Sequence, residues 1–149
     1  MDIHTETQFS VFLINKPGVL AQVTGALAEE KINVVAMTLV DSQEHGVLRL
    51  VASDAAAARG VLGRLSLPMT ETEVLVLELS NRPGALADVA TVMGQNHINI
   101  NYAYCTSGAP GGHTTGIFNV ADPKKAQHVL KESGEKHKEH NVRRGRVSQ

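Results

Sequence analysis

The chain has 149 residues, of which 42% are hydrophobic and 19% charged, and its formal net charge is −1. These values are ordinary for a globular protein and predict no bulk attraction to nucleic acid or to an anionic membrane surface. Aromatic residues make up only 3%, and the single cysteine, Cys105, excludes an internal disulfide and a cysteine metal cluster. No apolar run approaches the roughly 20 residues that span a bilayer, and the first residues lack the pattern of a signal peptide. We therefore expect a cytoplasmic protein with no membrane partner.

The first half of the chain predicts six elements. Residues 1–8 are polar, and a β-rich run then leads into a helix in which Leu20, Val23 and Leu27 recur at steps of three and four. Asp54 is a suitable cap for a second helix. The predicted elements are strand 9–14, helix 19–31, strand 32–40, strand 47–52, helix 55–65 and strand 69–73.

The second half repeats this order, with strand 74–79, helix 85–97, strand 98–106, strand 115–120 and helix 123–132. Residues 9–40 and 75–106 share nine identities in 32 positions. The charged tail from Glu135 departs from the repeat, because a fourth strand there would have only Val142 and Val147 as strongly apolar residues. The order β-α-β-β-α-β predicts an α+β fold of two tandem ferredoxin-like units, each an antiparallel sheet with both helices on one face. The predicted domains are residues 1–72 and 73–149.

A six-residue motif connects the first strand to the first helix of each copy. It reads Asn15-Lys16-Pro17-Gly18-Val19-Leu20 and recurs 66 residues later as Asn81-Arg82-Pro83-Gly84-Ala85-Leu86. Proline keeps the residue before it out of the helical region, and glycine permits backbone angles that a side chain would block. The helix that follows leaves unpaired N–H groups at the mouth of the turn, which suits an anion such as a carboxylate. The motif is therefore a candidate binding site.

The motif, the helix after it and an asparagine that opens the next strand resemble the ACT domain, a small-molecule-sensing module that typically binds amino acids. Asn33 and Asn99 both lie 18 residues after the first asparagine of their motif. The resemblance covers two copies, from about Phe9 to about residue 134. It implies a ligand held at an interface between ACT units by the turn and the asparagine. Carried over by position, the ligand-binding residues are Asn15, Lys16, Pro17, Gly18, Val19, Leu20, Asn33, Asn81, Arg82, Pro83, Gly84, Ala85, Leu86 and Asn99.

These residues also have a purely structural interpretation. The turn asparagines suit backbone hydrogen bonds, the Pro-Gly step suits turn geometry, and Asn33 and Asn99 suit caps at the start of a strand. An amide side chain offers a donor and an acceptor, so each asparagine also suits the ammonium or the carboxylate of an amino acid. Lys16 and Arg82 add positive charge.

Other residues with reactive side chains form no recognisable catalytic or metal pattern. His113 lies in a glycine-rich segment, but no Gly-Lys-Ser/Thr follows, so we interpret residues 107–112 as a hairpin tip or lid rather than a phosphate loop. His137 and His140 lie in the charged tail without a supporting carboxylate or cysteine pattern, which favours a solvated surface over a metal site.

One predicted strand carries both tyrosines and the cysteine. Cys105 is expected to be a small buried apolar residue, since no base is identifiable by spacing. Tyr102 and Tyr104 alternate along this strand and should share one face, where they could line a pocket or an interface.

These observations favour a stand-alone regulatory sensor. We expect an amino-acid ligand, a homodimer and a regulated protein partner, with no cofactor, metal, catalytic residue or nucleic acid. Two alternatives stay open, a small enzyme of ferredoxin-like fold and a partner-binding module without a small ligand, because this fold carries many functions. A weaker alternative uses Arg143, Arg144 and Arg146 of the tail as a nucleic-acid contact.

Overall fold

Ten elements follow one another in the computed structural model, which describes residues 2–14, 17–41, 45–106 and 112–147. The six strands are β1 (Ile3–Ile14), β2 (Val34–Asp41), β3 (His45–Ala52), β4 (Met69–Ser80), β5 (Ile100–Cys105) and β6 (His113–Val120). The four helices are α1 (Val19–Glu29), α2 (Ala55–Arg64), α3 (Ala85–Gln95) and α4 (Pro123–Val147). The predicted fold class, two tandem ferredoxin-like units, is confirmed.

The chain divides into two compact units. The first unit is Glu6–Val74, and the second unit consists of Leu75–Gln149 together with Met1–Thr5. Strands β1 and β4 each contribute to both units, because their assignment changes after Thr5 and after Val74. The two strands predicted at 69–73 and 74–79 are thus one continuous strand, β4.

The first unit has a four-stranded sheet with both helices on one face. β3 is antiparallel to β1 on one side and to β2 on the other, and residues 69–74 of β4 lie along the free edge of β1. The Asp54 carboxylate caps α2 by accepting a hydrogen bond from the Ala57 N–H at 3.0 Å, as predicted. The core of the unit consists of apolar side chains from the sheet and from both helices, including Phe9, Val11, Leu48, Leu50, Val23, Leu27, Val61 and Leu62.

The second unit repeats this arrangement. β6 is antiparallel to β4 and to β5, and the register between β5 and β6 shifts between Ile100 and Tyr102. Its separate core includes Leu75, Leu77 and Phe118 from the sheet, Val89 and Met93 from α3, and Ala126 and Leu130 from α4. Each copy of the repeat therefore buries its own hydrophobic face.

The fourth strand of the second unit comes from the other end of the chain, residues 3–5. Ile3 is only 6% exposed and belongs to the second core, and its carbonyl accepts a hydrogen bond from Gln127 Nε2 at 3.2 Å. The Asp2 carbonyl accepts another from the Glu78 N–H at 3.0 Å. The expectation that residues 1–8 belong to no strand or helix is wrong. Although this segment is largely polar, pairing with β4 and burial of the Ile3 side chain stabilise it as a strand.

The C-terminal segment is helical where the repeat has a strand. α4 has 25 residues and ends at Val147, well beyond the predicted end at residue 132, whereas α2 has 10 residues. Lysine and glutamate are good helix formers, and an isolated glycine such as Gly134 costs a helix only about 1 kcal/mol. Since residues 3–5 occupy the place of the fourth strand, the C-terminal segment is free to continue as a helix. None of the helices in the described ranges combines the length and the apolar character needed to cross a membrane.

Candidate functional site

Each unit has a strand-to-helix turn built on a glycine with a positive φ angle. Gly18 has φ 91° and Gly84 has φ 89°, values in the left-handed region that a side chain disfavours. These glycines are the N-caps of α1 and α3. The glycine of the motif is therefore required by the backbone conformation of the turn.

Among the described residues, no side chain caps the N-terminus of either helix. The glycine carbonyls accept the first helical hydrogen bonds, from Gln22 N–H at 3.0 Å and from Asp88 N–H at 2.9 Å. In the second unit, the Ala85 N–H also donates to the Arg82 carbonyl at 3.3 Å. The turn of the second unit is fully described, and its lack of a capping side chain leaves the N-terminus of α3 open to an anionic group, which the helix dipole favours.

A cavity of about 510 Å³ lies beside the turn of the second unit. This volume falls in the range of roughly 300–1,000 Å³ that is typical of small-molecule sites. Residues from the end of β4, the start of β6, and helices α3 and α4 form its walls. The polar lining residues are Glu78, Ser80, Arg82, Asp88, Thr91, Gln95, His113 and Ser133, and the others are Leu79, Ala85, Val89, Val92, Leu130 and Gly134.

An ion pair stands at the turn end of this cavity. Arg82 donates from Nη2 to Asp88 Oδ2 and from Nη1 to the Pro83 carbonyl, both at 3.1 Å. The two side chains are 56% and 65% exposed, so the pair contributes at most about 1 kcal/mol to stability. A ligand that offers a carboxylate to Arg82 and an ammonium to Asp88 can therefore replace this pair at little cost.

The turn of the first unit adjoins a smaller and mostly apolar cavity of about 270 Å³. Asp41 is its one charged lining residue among those described. The other lining residues are Leu13, Ile14, Val19, Leu20, Leu39, Val40 and Gly46. Asn15 and Lys16, the first two residues of the motif, lie outside the described residues.

The remaining motif residues have different environments. Pro17, Asn81 and Pro83 are exposed, and the Asn81 N–H donates to the Gly112 carbonyl at 2.9 Å. Val19 is buried in the first core, and Leu20 is half-buried against it. Leu86 is 53% exposed, unlike Leu20 at the same position of the first copy. At this position in the second copy, α3 presents its leucine to the outside while Ala85 lines the cavity.

The asparagines at the start of β2 and β5 lie at the opposite end of the sheet from the turns. In the first unit, Asn33 exchanges hydrogen bonds with Ser53: its N–H donates to Ser53 Oγ at 3.1 Å and its carbonyl accepts from the Ser53 N–H at 2.9 Å. The end of β1 is in register with His45, at the other end of β3. The intervening seven residues of strand span roughly 20 Å. The turn and the asparagine of one unit therefore lie at opposite ends of the sheet and do not contact each other.

In the second unit, the corresponding asparagine belongs to a row of exposed amides. Asn99 Nδ2 donates to Asn101 Oδ1 at 3.0 Å, and Asn101 Nδ2 donates to Asn119 Oδ1 at 2.7 Å. These residues adjoin the end of β6 near Val120, whereas the turn adjoins its start at His113. The row leaves further donors and acceptors at the surface.

Cys105 is exposed, in contrast to the expected burial. Along β5 the odd-numbered residues Asn101, Ala103 and Cys105 are exposed, while Tyr102 and Tyr104 are half-buried and share the other face, as predicted. Partial burial nevertheless raises the pKa of the Cys105 thiol, which keeps it protonated and weakly nucleophilic near neutral pH.

The described histidines do not cluster with other metal-binding side chains. The described part of the chain contains no cluster of three or more His, Cys, Asp or Glu that would hold a metal ion. His113 lines the second cavity, and His128 pairs with Glu132 at 3.2 Å on α4. The side chains of His137 and His140, and residues 107–111 of the predicted lid, lie outside the described residues.

Sequence reasoning missed six polar residues of the second cavity: Glu78, Ser80, Asp88, Thr91, Gln95 and Ser133. Three of them follow the motif at positions 88, 91 and 95, a spacing that places them on one face of α3. This spacing, next to the buried residues Val89 and Met93, could have predicted a polar face of α3 from the sequence. No sequence pattern predicts Ser133 as a cavity residue, because its position depends on how α4 packs.

Comparison with known proteins identifies the fold family. The family described as "ACT domain pair" matches residues 4–142. None of the curated proteins shows significant sequence similarity to the chain. Among solved structures, protein BT0572 from Bacteroides thetaiotaomicron is 30% identical, with a TM-score of 0.81 over 89% of this chain and 90% of that one.

Two aspartate kinase regulatory subunits share the fold at lower identity. The Thermus thermophilus subunit, in its ligand-free form, is 14% identical, with a TM-score of 0.65 over 89% of this chain and 97% of its own. The Thermus flavus subunit is 16% identical, with a TM-score of 0.57 over 89% of this chain and 96% of its own. Because the family pattern covers almost the whole chain and both units have the predicted fold, the chain belongs to the ACT domain family as an ACT domain pair.

Proposed function

We propose that this ACT domain pair is a regulatory sensor that binds an α-amino acid beside a strand–helix turn. The observation that carries the proposal is the cavity of the second unit, where an uncapped helix N-terminus and the Arg82–Asp88 ion pair lie together. A zwitterionic ligand needs partners of both signs. The guanidinium and the helix N–H groups suit its carboxylate, and the Asp88 carboxylate suits its ammonium.

The shared fold supports a regulatory role. Two chains of similar structure are regulatory subunits of aspartate kinase. We infer that this chain likewise acts on another protein, as a homodimer in the cytoplasm, without catalysing a reaction or binding nucleic acid. For such a sensor to work, the ligand must bind one arrangement of the protein more tightly than another, and the partner must distinguish the two.

Asn33 and Asn99 stay in the proposal as ligand-binding candidates at the other end of their sheets. Asn99 already bonds to a neighbouring amide, whereas the hydrogen bonds between Asn33 and Ser53 involve the backbone of Asn33. The motif residues Asn15, Lys16, Pro17, Gly18, Val19 and Leu20, and their counterparts Asn81 to Leu86, are proposed at the turn ends.

A thermal-shift screen against the twenty amino acids tests the proposal. A ligand at 100 times its dissociation constant stabilises the folded state by about 2.7 kcal/mol, which raises the melting temperature of a protein of this size by roughly 5–10 °C. The screen is repeated with Asn33→Ala, Asn99→Ala and Arg82→Gln. A shift for one or a few amino acids, lost in one of these variants, supports the sensor and identifies the end of the unit that binds. No shift for any of the twenty refutes a free amino acid as ligand.

Exposed apolar side chains in the first unit favour a second candidate function, a partner-binding module without a small ligand. Phe12, Val47 and Val40 are neighbours across three strands, and Phe12 and Val40 are 37% and 47% exposed. Apolar side chains that share an exposed face are typical of contact surfaces. This candidate predicts no thermal shift with amino acids and a change of oligomeric state, measured by analytical ultracentrifugation, in Phe12→Asp.

A further inference from the structure

The two turns differ in chemistry although the repeat aligns them. Three polar residues of the second cavity correspond, 66 positions earlier, to residues that are apolar, uncharged or without a side chain, whereas Arg82 and Gln95 correspond to Lys16 and Glu29. The three pairs are Ser80 with Ile14, Asp88 with Gln22 and Thr91 with Gly25. The first cavity is correspondingly lined mainly by leucine, isoleucine and valine.

The longer C-terminal helix adds a wall to the second cavity. Leu130, Ser133 and Gly134 of α4 line it, and the last two lie beyond the predicted end of the helix. In the first unit, α2 ends at Arg64 and the chain turns into β4, so the described lining of the first cavity contains no residue of α2. The volumes differ accordingly, about 510 Å³ against about 270 Å³.

From these differences we infer that each chain binds one amino acid, in the second unit, and that this amino acid has an uncharged hydrogen-bonding side chain. The inference rests on the proposed function and extends it to stoichiometry and ligand class. The carboxylate takes the place of Asp88 on Arg82, and the ammonium takes the place of Arg82 on Asp88. The side chain then lies toward Thr91, Gln95 and Ser133, which are further along the cavity on α3 and α4.

The lining selects against two other ligand classes. An aliphatic side chain would cover the Gln95 amide and the Ser133 hydroxyl without bonding to them, and buried polar groups left unpaired weaken binding. An acidic side chain would add a negative charge to a cavity whose lining already carries two carboxylates, Glu78 and Asp88, against one guanidinium.

Isothermal titration calorimetry tests the inference with L-serine, L-threonine, L-asparagine and L-glutamine, against L-leucine and L-aspartate. One of the first four should bind most tightly, with one site per chain. Arg82→Gln should weaken that binding at least about tenfold, since a charge-assisted hydrogen bond is lost. Asp88→Asn should weaken the binding of the amino acid more than the binding of the matching α-hydroxy acid, because the hydroxy acid has no ammonium group.

A matched pair of threonine variants tests the side-chain end of the cavity. Thr91 and Thr24 both donate their hydroxyl to the carbonyl four residues earlier, at 2.7 and 2.9 Å, but only Thr91 is among the described cavity residues. Thr91→Val should weaken binding about three- to tenfold, while Thr24→Val should leave it unchanged.

The results separate failure of this inference from failure of the proposed function. Two sites per chain, tightest binding of L-leucine or L-aspartate, or full affinity in Arg82→Gln with loss in Asn33→Ala would overturn the inference and leave the amino-acid sensor standing. Absence of binding by any amino acid would overturn both.

Discussion

Replacing Ile3 with alanine tests whether the start of the chain completes the second unit. The side chain is 6% exposed and packs in the core that contains Leu75, Leu77 and Met93. A buried isoleucine-to-alanine change costs about 2–5 kcal/mol, through lost transfer free energy and the cavity left behind. Because residues 3–5 pair with β4 and have no partner in β3, the site can partly collapse, and we expect about 3 kcal/mol. For about 150 residues this lowers the melting temperature by roughly 6–12 °C.

Urea unfolding followed by circular dichroism gives the change in the free energy of unfolding. The control is Ile14→Ala, which deletes the same atoms from a side chain of the same strand that is 59% exposed, and should cost less than about 1 kcal/mol. Native-state hydrogen exchange should show the loss of protection in residues 75–130 rather than in residues 9–65. Equal effects of the two variants, or loss of protection confined to the first unit, would refute the docking of residues 3–5.

Three further predictions concern single contacts. Gly84→Ala should cost about 1 kcal/mol in urea unfolding, because alanine at φ 89° is strained. Gly116→Ala should cost about 1–3 kcal/mol in the same assay, because the added Cβ would lie 2.8 Å from Cε2 of the buried Phe118. The guanidinium of Arg59 bonds to both Glu71 carboxylate oxygens and lowers the pKa of that carboxyl. The folded-state pKa is thus below the unfolded value of about 4.3, so Glu71→Gln should remove a stabilisation that wild type keeps above that pH and loses as pH falls through the lowered pKa.

Each of these has an internal control. Gly94→Ala, in α3 with open space around its added Cβ, should stabilise by up to about 1 kcal/mol, opposite in sign to the other two glycine variants. Glu73→Gln, which changes an exposed glutamate of the same strand, is the matched control for Glu71→Gln. Destabilisation by Gly94→Ala would show that the glycine effects do not come from φ or from the contact with Phe118.

The repeat made the fold predictable. Periodicity placed Val23 and Leu27 on one face of α1, and the structure buries both, as it buries Val89 and Met93 at the aligned positions of α3. Local patterns could not place residues 3–5, whose strand exists because β4 offers an unpaired edge. The same long-range contact decides that residues after 132 continue as a helix. Both differences are tertiary effects that outweigh local propensity.

The candidate site was predictable only in part. The glycines were found because the backbone of the turn requires them, and their positive φ angles agree. The distance between the turn and Asn33 follows from strand register, which the spacing of 18 residues does not reveal. The asymmetry between the cavities depends on α4, whose contact with α3 no motif encodes.

Residues 3–5, which form the fourth strand of the second unit, are far in sequence from the rest of that unit, and this separation affects the order in which the two units fold. Every strand of the first unit lies within residues 6–74, whereas the contact of Ile3 with Gln127 bridges 124 positions. Closing a loop of about 70 residues, as between Asp2 and Glu78, costs roughly 4 kcal/mol of chain entropy, and such distant contacts slow folding. We expect the first unit to fold while the ribosome is still making the second unit. The cavity of the second unit should then be able to bind a ligand only after the whole chain has folded. Pulse-labelled hydrogen exchange on nascent chains would show protection of residues 9–65 before residues 75–130, and the reverse order would exclude this sequence of events.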